Sequence, residues 1–238
     1  MILHIETSTQ VCSVALSHEG QLLFEKVSFE GPSHAALAGS FAEEALQEMK
    51  RQQGRLEAVA VSSGPGSYTG LRIGVSLAKG LCFGYDVPLI AVPTLDILAY
   101  TAIHRHAADS GALYCAMLDA RRMEVYSALY DAKLSPVETV KAEIITAESY
   151  ADYLEKTEVC FFGNGATKCQ EIITSPKAVF LDGIDPLAVH MIPLAEKAFA
   201  EKRFVDVAYF EPFYLKEFQA TIARNKVLGN LTHGSSSQ

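Results

Sequence analysis

The chain has 238 residues, of which 49% are hydrophobic and 20% are charged, the proportions of a globular protein with a proper core. Its formal net charge of −8 argues against a mainly electrostatic grip on nucleic acid, because neutralising phosphates requires clustered Lys and Arg. The five cysteines are scattered without a CxxC pair, which fits a reducing cytoplasm and predicts no structural zinc site. The first residues do not resemble a signal peptide, and no apolar run is long enough to cross a bilayer.

The first half of the chain is predicted to fold in the order βββαβαβα. Apolar runs bounded by turn residues predict the strands, and apolar positions at helical spacing predict the helices. The strands are expected at residues 2–5, 12–16, 22–29, 58–62 and 89–92, and the helices at 33–50, 70–85 and 94–106.

A glycine-rich loop separates the fourth strand from the second helix, with the sequence Gly64-Pro65-Gly66-Ser67-Tyr68-Thr69-Gly70-Leu71-Arg72-Ile73-Gly74. Glycine lets another group approach the backbone closely, and the N-terminus of a helix favours an anion. A tight turn capped by Ser67 or Thr69 accounts for the same residues without a ligand. Both interpretations stay open on the loop alone.

The helix that follows this loop is apolar nearly all round, and its only charges are Arg72 and Lys79. Such a helix is either enclosed in a core or shared with a partner subunit. Because a domain of this size rarely encloses a helix completely, the partner interpretation is favoured.

The second half is predicted to repeat the same order of elements, although no local identity between the halves is obvious. Its strands are expected at residues 113–119, 124–131, within 137–145, and at 159–162 and 178–181, and its helices at 147–156, through 173 after Gly163-Asn164-Gly165, and at 186–203. Asp185 is the expected N-cap of the last helix. The repeat predicts a duplicated α/β fold with mixed sheets and two subdomains, residues 1–107 and 108–216, followed by a partly disordered tail, residues 217–238.

This duplicated order resembles the superfamily of actin, heat-shock ATPases and sugar kinases. In that superfamily, the turn after the first strand of each half flanks the nucleotide phosphates. The corresponding turns here are Ile5-Glu6-Thr7-Ser8-Thr9 and Leu118-Asp119-Ala120-Arg121-Arg122. The resemblance makes Glu6, Thr7, Ser8, Asp119 and Arg121 candidates for residues close to a nucleotide.

More specifically, the chain resembles the bacterial TsaB (YeaZ) family. The matching segments run in order along nearly the whole chain: Ile5–Thr9 with Cys12–Leu16, the loop Gly64–Gly74 with Ala78–Leu81, Asp119–Arg121 with Glu124–Tyr126, and Glu211-Pro212-Phe213-Tyr214-Leu215.

The resemblance implies a subunit of the machinery that makes N6-threonylcarbamoyladenosine at position 37 of tRNAs reading ANN codons. In that family the catalytic paralogue is TsaD, TsaB pairs with it through the first two long helices, and the ATPase TsaE joins them. The family is also classed with the glycoproteases. We therefore expect a heterodimer with a TsaD-like paralogue, a homodimer of the chain alone, indirect contact with tRNA, and ATP or ADP at the interface of the complex. The expected interface residues are Leu37, Phe41, Gly70, Leu71, Gly74, Val75 and Ala78.

The chain lacks the groups for chemistry of its own. TsaD-like paralogues carry a metal-binding His-x-x-x-His where this chain has Thr94 and Leu98, and a leucine cannot ligate a metal. No zinc-peptidase motif and no serine nucleophile elbow is present, so protease activity is not expected.

The enzyme alternative is an ATPase or kinase of the actin-like superfamily, in which Glu6 or Asp119 would hold a hydrated Mg2+. Turn capping is the competing role for both residues. The superfamily's usual residue in the first turn is Asp, and Glu6 departs from it. The sequence therefore predicts a non-catalytic subunit that binds no metal.

Overall fold

The computed structural model describes residues 1–30, 34–106 and 111–215, without the side chains of residues 34 and 35. The predicted tail, residues 217–238, lies outside these ranges, as does the predicted domain junction at residues 107 and 108. Among the residues that the structure describes, no helix is both long and apolar enough to cross a membrane.

The first half forms a five-stranded mixed sheet in the order β3-β2-β1-β4-β5. Strands β1 to β3 form an antiparallel meander, and β1, β4 and β5 run parallel to one another. The predicted order βββαβαβα is confirmed: β1 (Ile2–Glu6), β2 (Cys12–His18), β3 (Gln21–Ser28), α1 (His34–Arg51), β4 (Ala58–Ser62), α2 (Tyr68–Tyr85), β5 (Leu89–Val92) and α3 (Thr94–Arg105).

The second half forms another five-stranded sheet, in the order β8-β7-β6-β9-β10. This is the strand order of the first sheet, element by element, which confirms the predicted duplication and the α/β fold with two subdomains. The elements are β6 (Leu113–Asp119), β7 (Glu124–Tyr130), β8 (Pro136–Ile144), α4 (Ala151–Leu154), β9 (Val159–Phe162), β10 (Ala178–Leu181) and α5 (Ala188–Ala200).

Three predictions for the helices of the second half are wrong. Helix α4 has a single turn, because Tyr150 in front of it takes a left-handed backbone with φ of 64° and cannot continue a helix. After Gly163 the structure has only a 3₁₀ turn, Thr167–Cys169, in place of an α-helix. Helix α5 starts after Leu187, which makes no side-chain cap, so Asp185 is not its N-cap.

The last helix of each half packs on the sheet of the other half. Helices α1 and α2 cover one face of the first sheet through a core that includes Leu3, Val59 and Ala78. The other face packs on α5, where Ile90 and Met191 share a cluster, whereas α3 lies on the second sheet. Each half therefore contributes its last helix to the sheet of the other half.

Candidate functional site

The glycine loop is filled by the chain itself. Ser67 donates its N–H to the carbonyl of Ser8 at 2.6 Å, and Thr7 Oγ1 donates to the carbonyl of Gly70 at 2.8 Å. A Cβ added at Gly70 would overlap with the Thr7 carbonyl, and one added at Gly74 would overlap with Thr7 Oγ1. Because these glycines have no side chain, the turn after β1 can pack closely against the loop. The glycine content of the loop is therefore explained without a bound phosphate.

Ser67 is the N-cap of α2, as one of the two loop interpretations required. Its Oγ accepts the N–H of Gly70 at 3.2 Å. The helix therefore starts two residues earlier than predicted, at Tyr68, and the N–H group of its third residue, Gly70, is satisfied by the cap.

Glu6 is completely buried at the end of β1. Its Oε1 accepts the N–H of Ser8 at 2.6 Å, while Oε2 and the hydroxyls of Ser8 and Ser62 have no partner among the described residues. Burial raises the pKa of the Glu6 carboxyl to about 7, although the Ser8 N–H favours the ionised form. A completely buried carboxyl that is only about half ionised at neutral pH is a poor ligand for Mg2+.

The corresponding turn of the second half is exposed and carries an ion pair that the sequence did not reveal. Lys168 Nζ lies 2.5 Å from Asp119 Oδ1 and also donates to the carbonyls of Arg122 and Glu124, at 2.7 and 2.6 Å. The Arg121 N–H donates to the same Asp119 oxygen at 2.8 Å. The charge of Asp119 is thus compensated by Lys168, which comes from the 3₁₀ turn 49 residues later.

The five residues predicted on α2 to contact a partner are instead buried within this chain. Gly70, Leu71, Gly74, Val75 and Ala78 face the core of the first sheet, with exposures such as 1% for Leu71 and 4% for Val75. They recur at helical spacing and pack towards β4, so they have no surface to offer a partner.

The outward face of α2 borders a groove between α1 and α2 of about 520 Å³. The two residues predicted on α1, Leu37 and Phe41, are half-buried. Small and apolar side chains dominate the walls, which are formed by Ala38, Gly39, Tyr68, Thr69, Arg72, Ile73, Ser76 and Leu77. Beyond the groove, at the end of α2, the Phe83 side chain is 88% exposed. The walls of the groove are mostly apolar.

An extended C-terminal segment fixes the other side of α2. Val205 forms an antiparallel bridge with Leu89, and Lys79 Nζ donates to the carbonyl of Ala208 at 3.1 Å. Farther along, the Phe213 N–H donates to the carbonyl of Ser63 at 2.7 Å. The Tyr214 ring then packs on Tyr68, with 4.8 Å between centroids. The segment Glu211–Leu215 thus secures the glycine loop, a role that its sequence alone did not indicate.

Comparison with known proteins places this arrangement in one class. The profile of the TsaD family, described as tRNA N6-adenosine threonylcarbamoyltransferase, matches residues 30–224. The chain is 32% identical to the tRNA threonylcarbamoyladenosine biosynthesis protein TsaB of Escherichia coli strain K12, over 90% of this chain and 94% of that protein. It is 31% identical to TsaB of Bacillus subtilis strain 168, over 92% of this chain and 95% of that protein.

A solved structure shows the same fold. YeaZ from Pseudomonas aeruginosa superposes with a TM-score of 0.72 at 26% sequence identity, over 90% of this chain and 99% of that chain. The duplicated α/β fold and the sequence together define a protein of the threonylcarbamoyladenosine system. The chain belongs to the TsaB (YeaZ) family of tRNA threonylcarbamoyladenosine biosynthesis proteins.

Proposed function

We propose that this chain is a non-catalytic scaffold subunit for threonylcarbamoyl transfer to adenosine 37 of ANN-decoding tRNAs in the cytoplasm. It acts by forming a heterodimer with a TsaD-like catalytic paralogue, to which a TsaE-like ATPase is added. The tRNA is held by the complex, and any ATP or ADP lies at the interface between subunits.

The groove between α1 and α2 is the observation that carries this proposal. Its walls include the half-buried side chains of Ile73 and Leu77 beside small residues, and the exposed Phe83 lies farther along the same helix. Small residues let the backbone of a second helix come close, and exposed apolar side chains gain by being covered. A pair of helices from the paralogue would complete a four-helix contact there. The chain alone would pair with a second copy through the same surface.

The turns that hold phosphates in actin-like enzymes support a role without chemistry. The first turn is packed against the glycine loop and leaves Glu6 buried, and the second holds Asp119 in an ion pair with Lys168. Thr94 and Leu98, which stand where the paralogues have metal-binding histidines, are both buried in the core. None of these groups is free to bind a nucleotide–metal complex.

The test is binding of the TsaD-like paralogue to Ile73→Glu and Leu77→Glu variants, measured by isothermal titration calorimetry. Each introduces a charge into the groove and should weaken binding by at least about tenfold. Ile144→Glu is the matched control, because Ile144 is equally apolar, 67% exposed and on β8, far along the chain from the groove.

Circular dichroism and thermal unfolding establish that each variant is folded. Undiminished binding by a folded Leu77→Glu variant would contradict the proposed surface. A reconstituted modification assay, run with and without this chain, tests the scaffold role itself: modification should depend on the chain although the chain alone transfers nothing.

A further inference from the structure

Three side chains that bind metals in other proteins meet outside the groove. His106 directly follows α3, Glu158 directly precedes β9, and Cys160 is the second residue of β9. Because side chains alternate along a strand, Glu158 and Cys160 point to the same face. One imidazole nitrogen, one carboxylate oxygen and the Cys160 sulfur all lie within 4.8 Å of one another.

The backbone carbonyls of His106 and Glu158 both accept hydrogen bonds from residues of β6. The Leu113 N–H donates to the carbonyl of Glu158 at 2.9 Å, and the Tyr114 hydroxyl donates to the carbonyl of His106 at 2.9 Å. Cys160 is buried, while His106 and Glu158 are half-buried, so the cluster opens to solvent on one side. The backbone positions of His106 and Glu158 are therefore fixed before any ion arrives.

We propose that His106, Glu158 and Cys160 form a binding site for a divalent transition-metal ion, with Zn2+ as the preferred ion. Zinc takes nitrogen, oxygen and sulfur ligands at about 2.0–2.3 Å, which sets tetrahedral ligand atoms roughly 3.3–3.8 Å apart. The Cys160 sulfur and Glu158 Oε1 are already 3.8 Å apart. Mg2+ and Ca2+ prefer oxygen ligands alone, so the mixed donors select against them. Water would complete the fourth position.

The site clamps the end of α3 to the sheet of the second half. Helix α3 comes from the first half, and β9 belongs to the second sheet, so the ion would link two distant parts of the chain. The sequence predicted no metal site because the cysteines lack close partners. The third ligand, His106, lies 52 residues before Glu158 and reaches it only in the folded chain.

The experiment is titration of metal-free full-length protein with Zn2+, followed by calorimetry and thermal unfolding. We expect one equivalent to bind and to raise the melting temperature. Co2+ offers a second readout, because a cobalt–thiolate charge-transfer band would report coordination by Cys160. His106→Gln, Glu158→Gln and Cys160→Ala should each weaken binding by at least about 10–100-fold, because loss of even an outer-shell partner of a metal ligand costs that much.

Two neighbouring residues provide matched controls. His104→Gln changes an exposed histidine on the last turn of α3, and Glu155→Gln changes an exposed carboxylate three residues before Glu158. Both should bind Zn2+ like the natural chain. Because His106 and Glu158 are half-buried, their variants remain testable even if Cys160→Ala is poorly folded. The absence of stoichiometric binding, or binding that is equal in folded His106→Gln and His104→Gln variants, would overturn the proposal.

Discussion

Thr7 Oγ1 donates a hydrogen bond of 2.8 Å to the carbonyl of Gly70, and so joins the turn after β1 to the first turn of α2. Ser67 makes a second link, from its N–H to the carbonyl of Ser8. The position of α2, and of the groove on its outer side, is therefore set by the turn after β1. The same two hydrogen bonds orient the proposed partner surface.

Gly70→Ala should lower the free energy of unfolding by about 1–3 kcal/mol, because the new methyl group overlaps with the backbone carbonyl of Thr7. Gly80→Ala on the same helix is the matched control. A Cβ at Gly80 meets nothing within 4 Å, so this variant should gain about 0.5–1 kcal/mol from helix propensity. Urea unfolding measures both. Equal stability of the two variants would show that the close contact at Gly70 carries no cost.

The buried Glu6 carboxyl predicts a pH dependence of stability. Its pKa is raised to about 7 in the folded chain from a reference value of 4.5, so the folded state holds a proton that the unfolded state has lost between these values. Stability should therefore fall as pH rises from about 4.5 to 7, by on the order of 3 kcal/mol, and then level off.

Glu6→Gln keeps the shape and the acceptor for the Ser8 N–H but cannot ionise. The difference in unfolding free energy between the natural chain and this variant should vary with pH only through the ionisation of Glu6. The other titrating groups contribute equally to both proteins. Chemical denaturation at several pH values measures it. A difference that stays constant between pH 4.5 and 7 would refute the assignment.

Lys168→Met should lower the free energy of unfolding by about 1–3 kcal/mol. The change removes the partner of Asp119 and the donor to the Arg122 and Glu124 carbonyls. Lys177→Met is the control, because among the residues that the structure describes Lys177 Nζ donates to the exposed carbonyl of Glu155 alone. Thermal unfolding should show a clear loss for the first variant and almost none for the second. Similar losses would mean that the three contacts of Lys168 add nothing.

The isolated chain should not turn over ATP above background in a coupled phosphate-release assay with Mg2+. The reason is that Glu6 is buried and Asp119 is paired with Lys168. Turnover that is present in the natural chain and abolished by both Glu6→Ala and Asp119→Ala would favour an ATPase or kinase instead.

The sequence predicted the bounds of the strands far better than it predicted which face of a helix is exposed. The bounds of β4, β5, β6, β9 and β10 agree with the prediction to the residue, because each is a short apolar run between turn residues. Helix α2 was located, but its apolar residues surround the helix, so the buried row that includes Leu71 and Val75 could not be told from the outward row that includes Ile73 and Leu77. Only packing against β4 distinguishes the two rows.

The sequence located part of the candidate site, but it did not predict the burial of Glu6 or the ion pair of Asp119. Glu6 and Thr7 were located at the end of β1 by the strand pattern, but the complete burial of the Glu6 carboxyl arises only in the folded chain, where β1 lies between β2 and β4. The pairing of Asp119 with Lys168 joins residues 49 positions apart. No local pattern marks Lys168, since it lies in a 3₁₀ turn where a helix was predicted.

The crossing of α3 and α5 between the two sheets bears on how this chain folds during synthesis. The apolar side chains of Ile2 and Ile90 on the first sheet are covered by Met191 and Ala195 of α5, which follows all the strands of the second half in the chain. A nascent chain that ends at residue 107 would expose that face, and the first subdomain should not become stable until α5 has emerged. The two halves should consequently gain and lose their structure together, as a single cooperative unit.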